Sequence, residues 1–145
     1  MNFLVVVSHP DDEILGCGGS IAKWSRSGND VHVLIMAEGA TSRGKKRDRS
    51  AQKKKLSQLT RSAAKAAEIL GIQSVELFCF PDNRMDSVDL LDLVKSIEKH
   101  IEKRKPEVVV THHSGDLNID HLIVHQAVMA ACRPQPLHPV KRILS

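Results

Sequence analysis

Strand-like and helix-like segments alternate along this chain. That order predicts an α/β fold, a Rossmann-like three-layer sandwich with a mostly parallel sheet and helices on both faces. Two further observations support the class. The first strand-like run, Leu4 to Val7, is continuously apolar and Val-rich, as expected of a strand covered on both faces. The polar stretches His9–Asp12, Glu38–Arg43, Asp82–Asp86 and His112–His121 each follow a strand, so a parallel sheet would gather all four at the edge where such sheets bind ligands.

The elements follow in order. After Leu4–Val7, the segment Ile14–Ser27 reads as a helix closed by Gly28. Val31–Ala37 is the second strand. Ser57–Leu70, with Leu59, Ala63, Ala66, Ala67 and Leu70 apolar, is the second helix, ended by Gly71. Val75–Phe80 is the third strand, and Pro81–Asp86 a loop. Val88, Leu91, Val94, Ile97 and Ile101 keep the three-to-four spacing of an amphipathic third helix. Pro106 stops it, Glu107–Thr111 forms the fourth strand, Asp120–Ala131 the fourth helix, and Val140–Leu144 begins a further strand. No repeat or linker interrupts the 145 residues, so one domain over 1–145 is expected, long enough to bury about two-thirds of its unfolded surface.

Composition narrows the function classes. The net charge of +4 is local, because Arg43–Lys55 holds eight basic residues against Asp48 alone. A charge run of this kind is ordinarily a solvated loop and helix start. With 3% aromatic residues there is no stacking platform, and specific nucleic-acid readout is not expected. Cys17, Cys79 and Cys132 have no CxxC spacing and form neither a disulfide framework nor a thiolate metal site. The N-terminal apolar run is cut by His9 and Pro10, too short for a leader or a membrane span, so a cytoplasmic protein without a transmembrane segment is expected.

The stretch His9-Pro10-Asp11-Asp12-Glu13 carries the chemistry. His9 and Asp12 lie three apart across a turn stiffened by Pro10, so an imidazole and a carboxylate can face one ion while Asp11 points elsewhere. A catalytic zinc needs three such ligands and an open position. His112, His113, His121 and His125 are candidates for the third ligand; His121–His125 lacks the intervening glutamate of an HExxH site. Helix capping asks for the same acidic residues at the same place, so the pentapeptide alone leaves both readings open. His32, His100 and His138 are expected to be exposed and uninvolved.

Taken with Asp120-His121 opening a later helix, the pentapeptide after a Val-rich first strand resembles the PIG-L family of zinc-dependent de-N-acetylases, also called LmbE-like. The resemblance runs from Met1 to about Arg133 and includes Phe80-Pro81-Asp82-Asn83 and Asp116-Leu117-Asn118-Ile119-Asp120-His121. It implies that His9, Asp12 and His121 ligate Zn²⁺ and that Asp11 is the general base toward zinc-activated water that cleaves an N-acetylated amino sugar, GlcNAc-like and nucleotide- or lipid-linked. Ligands of this mixed type also accept Fe²⁺ or Mn²⁺. Asn118 stands where the family often has a histidine; it can donate a hydrogen bond but not a proton, and His113 is its substitute as acid. By that resemblance Arg61 and Asp82 match positions that contact sugar hydroxyls, with Arg84 extending the contact; the functional reading of the basic segment, beside the solvated one, is that Arg43 with neighbouring lysines meets a phosphate.

Family members continue past the position of Ser145, which implies a C-terminally truncated sheet with an open edge. Such an edge invites pairing, so a homo-oligomer is a further expectation. The alternative to an enzyme is a truncated, non-catalytic zinc- or sugar-binding module of the same fold.

Overall fold

In the computed structural model, which describes residues 1–145, successive side chains of the first strand go to opposite cores. Strand β1 (Asn2–Val7) sends Phe3, Val5 and Val7 into one core and Leu4 and Val6 into another. A strand buried on both faces sits in the middle of a sheet, and β1 does. With β2 (Asp30–Ala37), β3 (Ser74–Phe80), β4 (Val108–Val110) and β5 (Arg142–Leu144) it forms a sheet of order β3-β2-β1-β4-β5. Every pairing is parallel.

Helices α1 (Asp12–Arg26) and α2 (Lys53–Leu70) cover one face through Ile21 and Ala63. Helices α3 (Leu90–Arg104) and α4 (Ile119–Ala131) cover the other, where Leu93, Val94, Ile97 and Ile101 pack with Val124, Ala127, Val128 and Ala131. The predicted three-layer α/β class is the observed one. The chain lays down β1, β2 and β3 in one direction and then crosses back to β4, so the order reverses between β1 and β4. Ligands bind in the crevice at such a reversal, outside the carboxyl ends of the strands.

The departures are local. Helix α2 begins four residues before the expected Ser57, with Lys53, Lys54 and Lys55 in a first turn that holds no acid. Helix α1 is two pieces joined at Cys17 (φ −143°), inside the run Gly16-Cys17-Gly18-Gly19 where helix propensity is poorest. A single 3₁₀ turn, Met85–Ser87, carries Met85 into the core next to α4. His100 is buried rather than exposed, its ring edge on Phe78 with centroids 5.6 Å apart, because the amphipathic stripe of α3 continues through it. His32 and His138 are half-buried, bonded to Ser74 and to the Ala131 carbonyl. Strand β5 pairs only with β4 and is an edge. No helix is long and apolar enough to cross a membrane.

Candidate metal centre and its cavity

The turn after β1 builds the first half of the site. Asp11 and Asp12 donate their backbone N–H groups to the His9 carbonyl (2.9 and 3.2 Å), and Asp12 Oδ2 accepts the His9 N–H at 2.7 Å. That closed turn brings His9 Nδ1 to 3.4 Å from Asp12 Oδ2. The second half comes from α4, whose N-terminus is fixed by Asn118: its Oδ1 accepts the N–H groups of Asp120 (2.9 Å) and His121 (3.3 Å). His121 Nε2 then lies 3.3 Å from His9 Nδ1 and 3.3 Å from Asp12 Oδ2.

Two imidazole nitrogens and one carboxylate oxygen thus form a nearly equilateral triangle. Tetrahedral coordination at about 2.1 Å from the ion separates neighbouring ligand atoms by about 3.4 Å. The observed edges match that value, and two nitrogens with one oxygen are a set that zinc accepts. These residues therefore fit a divalent metal with one position left for a small molecule. Of the four candidates for the third ligand, His121 occupies the place. His112 accepts the Ser8 N–H on Nε2 (2.8 Å) and stacks flat on His121 with ring centroids 3.8 Å apart. His125 bonds the His112 carbonyl (2.8 Å), and His113 is exposed, its Nδ1 accepting the Gly115 N–H at 3.0 Å.

Each imidazole of the triangle is oriented through its other nitrogen by a carboxylate. His9 Nε2 lies 3.0 Å from Asp120 Oδ2 and His121 Nδ1 lies 2.8 Å from Asp116 Oδ2. Such partners hold the ring and raise its basicity toward a metal. Sequence reasoning assigned neither acid a role. The signal available was the polar spacing of two, Asp116-Asn118-Asp120, directly before His121. Asp120 is fully buried and also accepts the backbone N–H groups of Asn83 (2.6 Å) and Met85 (3.0 Å), which locks the 3₁₀ turn to α4. Asp120→Ala would orphan both donors beneath His9. We expect a stability loss of about 1–3 kcal/mol by denaturant titration and a metal affinity roughly 10–100-fold weaker by competition with a chromogenic chelator.

The electrostatics separate the two adjacent aspartates. Burial pulls the His9 imidazole toward neutrality, but hydrogen bonds to Asp12 and Asp120 overcome it and hold the metal-free group up at about 10. Asp12 is penalised by burial, yet His9, His121 and His112 keep its carboxyl below the usual range. Asp11 is pushed up, by burial first and by the Asp12 charge second. Its side chain makes no cap bond at the start of α1; Glu13 Oε2 accepts the Asp11 N–H instead (3.1 Å). Glu13 thus takes up the Asp11 N–H, and the Asp11 carboxylate has no side-chain hydrogen-bond or ion-pair partner.

His112 moves the other way, down to about 4, through burial and then the neighbouring His121 charge. A histidine depressed in the folded state binds its proton more readily when unfolded. Its contribution is thus complete above about 6.5 and is lost as pH falls from there toward 4. His9, raised to about 10, works against this just below 6.5, where its unfolded form is still taking up its proton, and adds no slope deeper in the window, where both states are protonated. Metal-free protein should show a falling urea midpoint between pH 6.5 and 4, and His112→Gln should flatten that limb.

A cavity of about 410 Å³ opens over the triangle, lined by His9, Asp11, Asp12 and His121 together with Asn118, Asp82, Asn83, Ser42, Arg43 and Lys55. Of the expected substrate contacts, Asp82 and Arg43 are on its wall. Buried Asp82 accepts the Ser42 N–H on Oδ2 (3.0 Å) and lies 3.6 Å from His9 Nε2, so it ties the loop after β2 to the metal centre. Three expected residues stand elsewhere. Arg61 is exposed on α2, donating to Ser57 Oγ (3.1 Å) one turn earlier, because its position on the helix faces solvent. Arg84 turns outward to the Gly44 and Lys45 carbonyls (3.3 and 3.5 Å) and acts on the loop. His113 lies on the far side of Asp12, in a separate cavity with Cys17 and Trp24.

A family model described as PIG-L, GlcNAc-PI de-N-acetylase, matches residues 4–132. The uncharacterized deacetylase YaiS of Escherichia coli (strain K12) is 31% identical over 138 residues, 92% of this chain and 69% of that protein. The diacetylchitobiose deacetylase of Thermococcus kodakarensis is 31% identical over 109 residues, 74% of this chain and 39% of that protein. Among solved structures, GalB, the 4-carboxy-2-hydroxymuconate hydratase of Pseudomonas putida KT2440, superposes with a TM-score of 0.76 at 28% identity, over 99% of this chain and 62% of that one. The chain thus spans 39 to 69% of the length of these proteins.

Proposed function

The chain belongs to the PIG-L, or GlcNAc-PI de-N-acetylase, family, and from that membership we propose that it removes the acetyl group from the nitrogen of an N-acetylated amino sugar. The observation that carries this reading is the pairing of two neighbours: Asp12 turned into the 3.3–3.4 Å triangle and Asp11 unengaged on the cavity wall beside it. A metal held by His9, Asp12 and His121, with Zn²⁺ favoured over Fe²⁺ or Mn²⁺, supplies a Lewis acid that acidifies water and polarises a carbonyl.

This chain's own residues handle the proton and the orientation. Asp11 takes a proton from water as its oxygen adds to the acetamide carbon, and returns it to the nitrogen as the C–N bond breaks, leaving acetate and a free amine. In the metal-free chain, burial first and the Asp12 charge second push its carboxyl up from the ordinary range. Asn118 uses Oδ1 in its cap and one Nδ2 hydrogen toward Asn83 (3.1 Å), which leaves one N–H for a substrate oxygen. Asp82 and Arg43 are the sugar-side contacts that remain on the wall. A polar cavity of about 410 Å³ is within the usual range for a small ligand. The three free cysteines fit a cytoplasmic setting.

The test is acetate release by the zinc-loaded chain from N-acetylglucosamine and N,N'-diacetylchitobiose. Release that depends on metal supports the reading. A second reading is favoured by the match to a hydratase over 99% of this chain: the same base could direct water onto a carbon–carbon double bond of an unsaturated acid. Hydration of such a substrate with no acetate from any sugar would replace deacetylation. Metal binding with no turnover of either kind would leave a non-catalytic module.

A further inference from the structure

Glu38 directly follows β2 and is buried, yet it belongs neither to the ligand triangle nor to the cavity lining. Both its oxygens are engaged all the same. Arg47 grips them with two parallel bonds, Nε to Oε1 (2.7 Å) and Nη2 to Oε2 (2.9 Å). Arg49 Nε lies 2.8 Å from Oε2, and Thr41 Oγ1 donates to Oε1 at 2.7 Å. Burial alone would push this carboxyl up, but hydrogen bonds from Arg47 and Thr41 hold it below the ordinary range. The knot is also anchored to the end of β3: Glu38 donates its N–H to the Phe80 carbonyl (3.1 Å), and Arg47 Nη2 donates to the Cys79 carbonyl (2.6 Å).

What the knot encloses is a wall of the cavity. Gly39, Ala40, Ser42 and Arg43 line the space over the triangle, and all four lie between Glu38 and Arg47 in the chain. The ion pair therefore closes the loop that carries them. Its backbone is strained, because Gly39 and then Ala40 take left-handed φ values of 65° and 78°. Ala40 has a Cβ, and a non-glycine residue keeps that conformation only where its surroundings over-determine it. Glu38 supplies those surroundings through the Thr41 bond, which spans the two left-handed residues, and through Arg47 at the far end of the loop. A buried ion pair adds little stability over a fitted apolar pair of the same volume, so what this one contributes is geometry.

We propose that Glu38 and Arg47 are positioning residues for substrate binding: their pair sets the wall of Gly39, Ala40, Ser42 and Arg43 against the sugar, although neither side chain touches it. The inference rests on the deacetylase reading and adds what shapes the sugar-side half of the cavity.

The experiment follows N,N'-diacetylchitobiose with the zinc-loaded chain, by acetate release and, in an Asp11→Asn background, by calorimetric affinity. Glu38→Gln keeps the shape and removes the charge; Arg47→Lys keeps the charge and removes the parallel bonds. Arg47 and Arg49 are exposed and can turn to water, so both variants should fold and hold zinc. KM and Kd should each rise about tenfold in either variant with kcat within about twofold, the pattern of lost uniform binding. Releasing the wall adds no atom against Pro10, so the turn carrying Asp11 stays in place. The double variant should be no worse than Glu38→Gln alone, since the two substitutions remove one shared contact. A lowered melting curve with KM and Kd unchanged makes the knot merely structural and overturns the inference, as do losses that add in the double variant. A disaccharide that fails to bind the wild type overturns it too. No acetate from the wild type, with Kd still weakened in both variants, leaves the positioning role and removes deacetylation; acetate release with KM unmoved does the reverse.

Discussion

Asp11→Asn is expected to lower acetate release by about 10²–10⁴-fold, the range that a positioned general base supplies. Bound metal should stay at wild-type stoichiometry. The split follows from geometry: the Asp11 side chain makes no cap bond, takes no part in the ligand triangle and lines the cavity. Asparagine keeps the shape and removes the ability to take a proton. The backbone contacts of Asp11, to the His9 carbonyl and to Glu13 Oε2, do not depend on its side chain. Elemental analysis and acetate assay on the same preparation read both halves of the expectation. Loss of metal in this variant, or activity within a few-fold of wild type, would remove Asp11 from the role of base.

Asp12→Asn is expected to do the opposite and abolish metal retention first. Asp12 Oδ2 is at once the acceptor of the His9 N–H (2.7 Å) and one corner of the triangle with His9 and His121. An amide oxygen preserves the acceptor and the turn, so the variant should fold. It forfeits the negative charge that lies against both imidazoles. Loss should exceed the roughly 10–100-fold weakening that follows when an orienting partner alone is removed. Dialysis against a metal buffer should strip Asp12→Asn at concentrations where Asp120→Ala is still partly loaded, and acetate release should fall with occupancy. Full occupancy in Asp12→Asn would take the carboxylate corner away from Asp12.

Much of this was legible beforehand because the strong signals are local. The β-strand run before His9, the spacing of α3 and the glycine closing α2 each depend on a few neighbouring residues, and Gly71 takes the left-handed φ of 72° that a helix end requires. The division between Asp11 and Asp12 was legible as well, since one turn cannot aim both side chains the same way. What could not be read is what depends on residues far apart. Asp120 matters because strand order brings the β1 turn, the 3₁₀ turn and α4 to one point, and a buried carboxylate serves all three. His112 and His125 form a support beneath His121 that no spacing announces. Arg61 and Arg84 were drawn to the site by position in the chain, whereas helix phase and loop path send both elsewhere.

The contact between the loop after β2 and the turn after β1 has a kinetic consequence. Gly39 has a φ of +65°, and a Cβ there would come within 2.9 Å of the Pro10 ring and 3.2 Å of Leu59. Pro10 immediately precedes Asp11, so the loop that lines the cavity and the carboxyl proposed as base share one mechanical support. A larger residue at 39 would press on Pro10 and tilt the base, with the metal triangle left in place. Change in the second loop is therefore coupled to turnover: with Asp11 as the base, Gly39→Ala should show itself in kcat before KM.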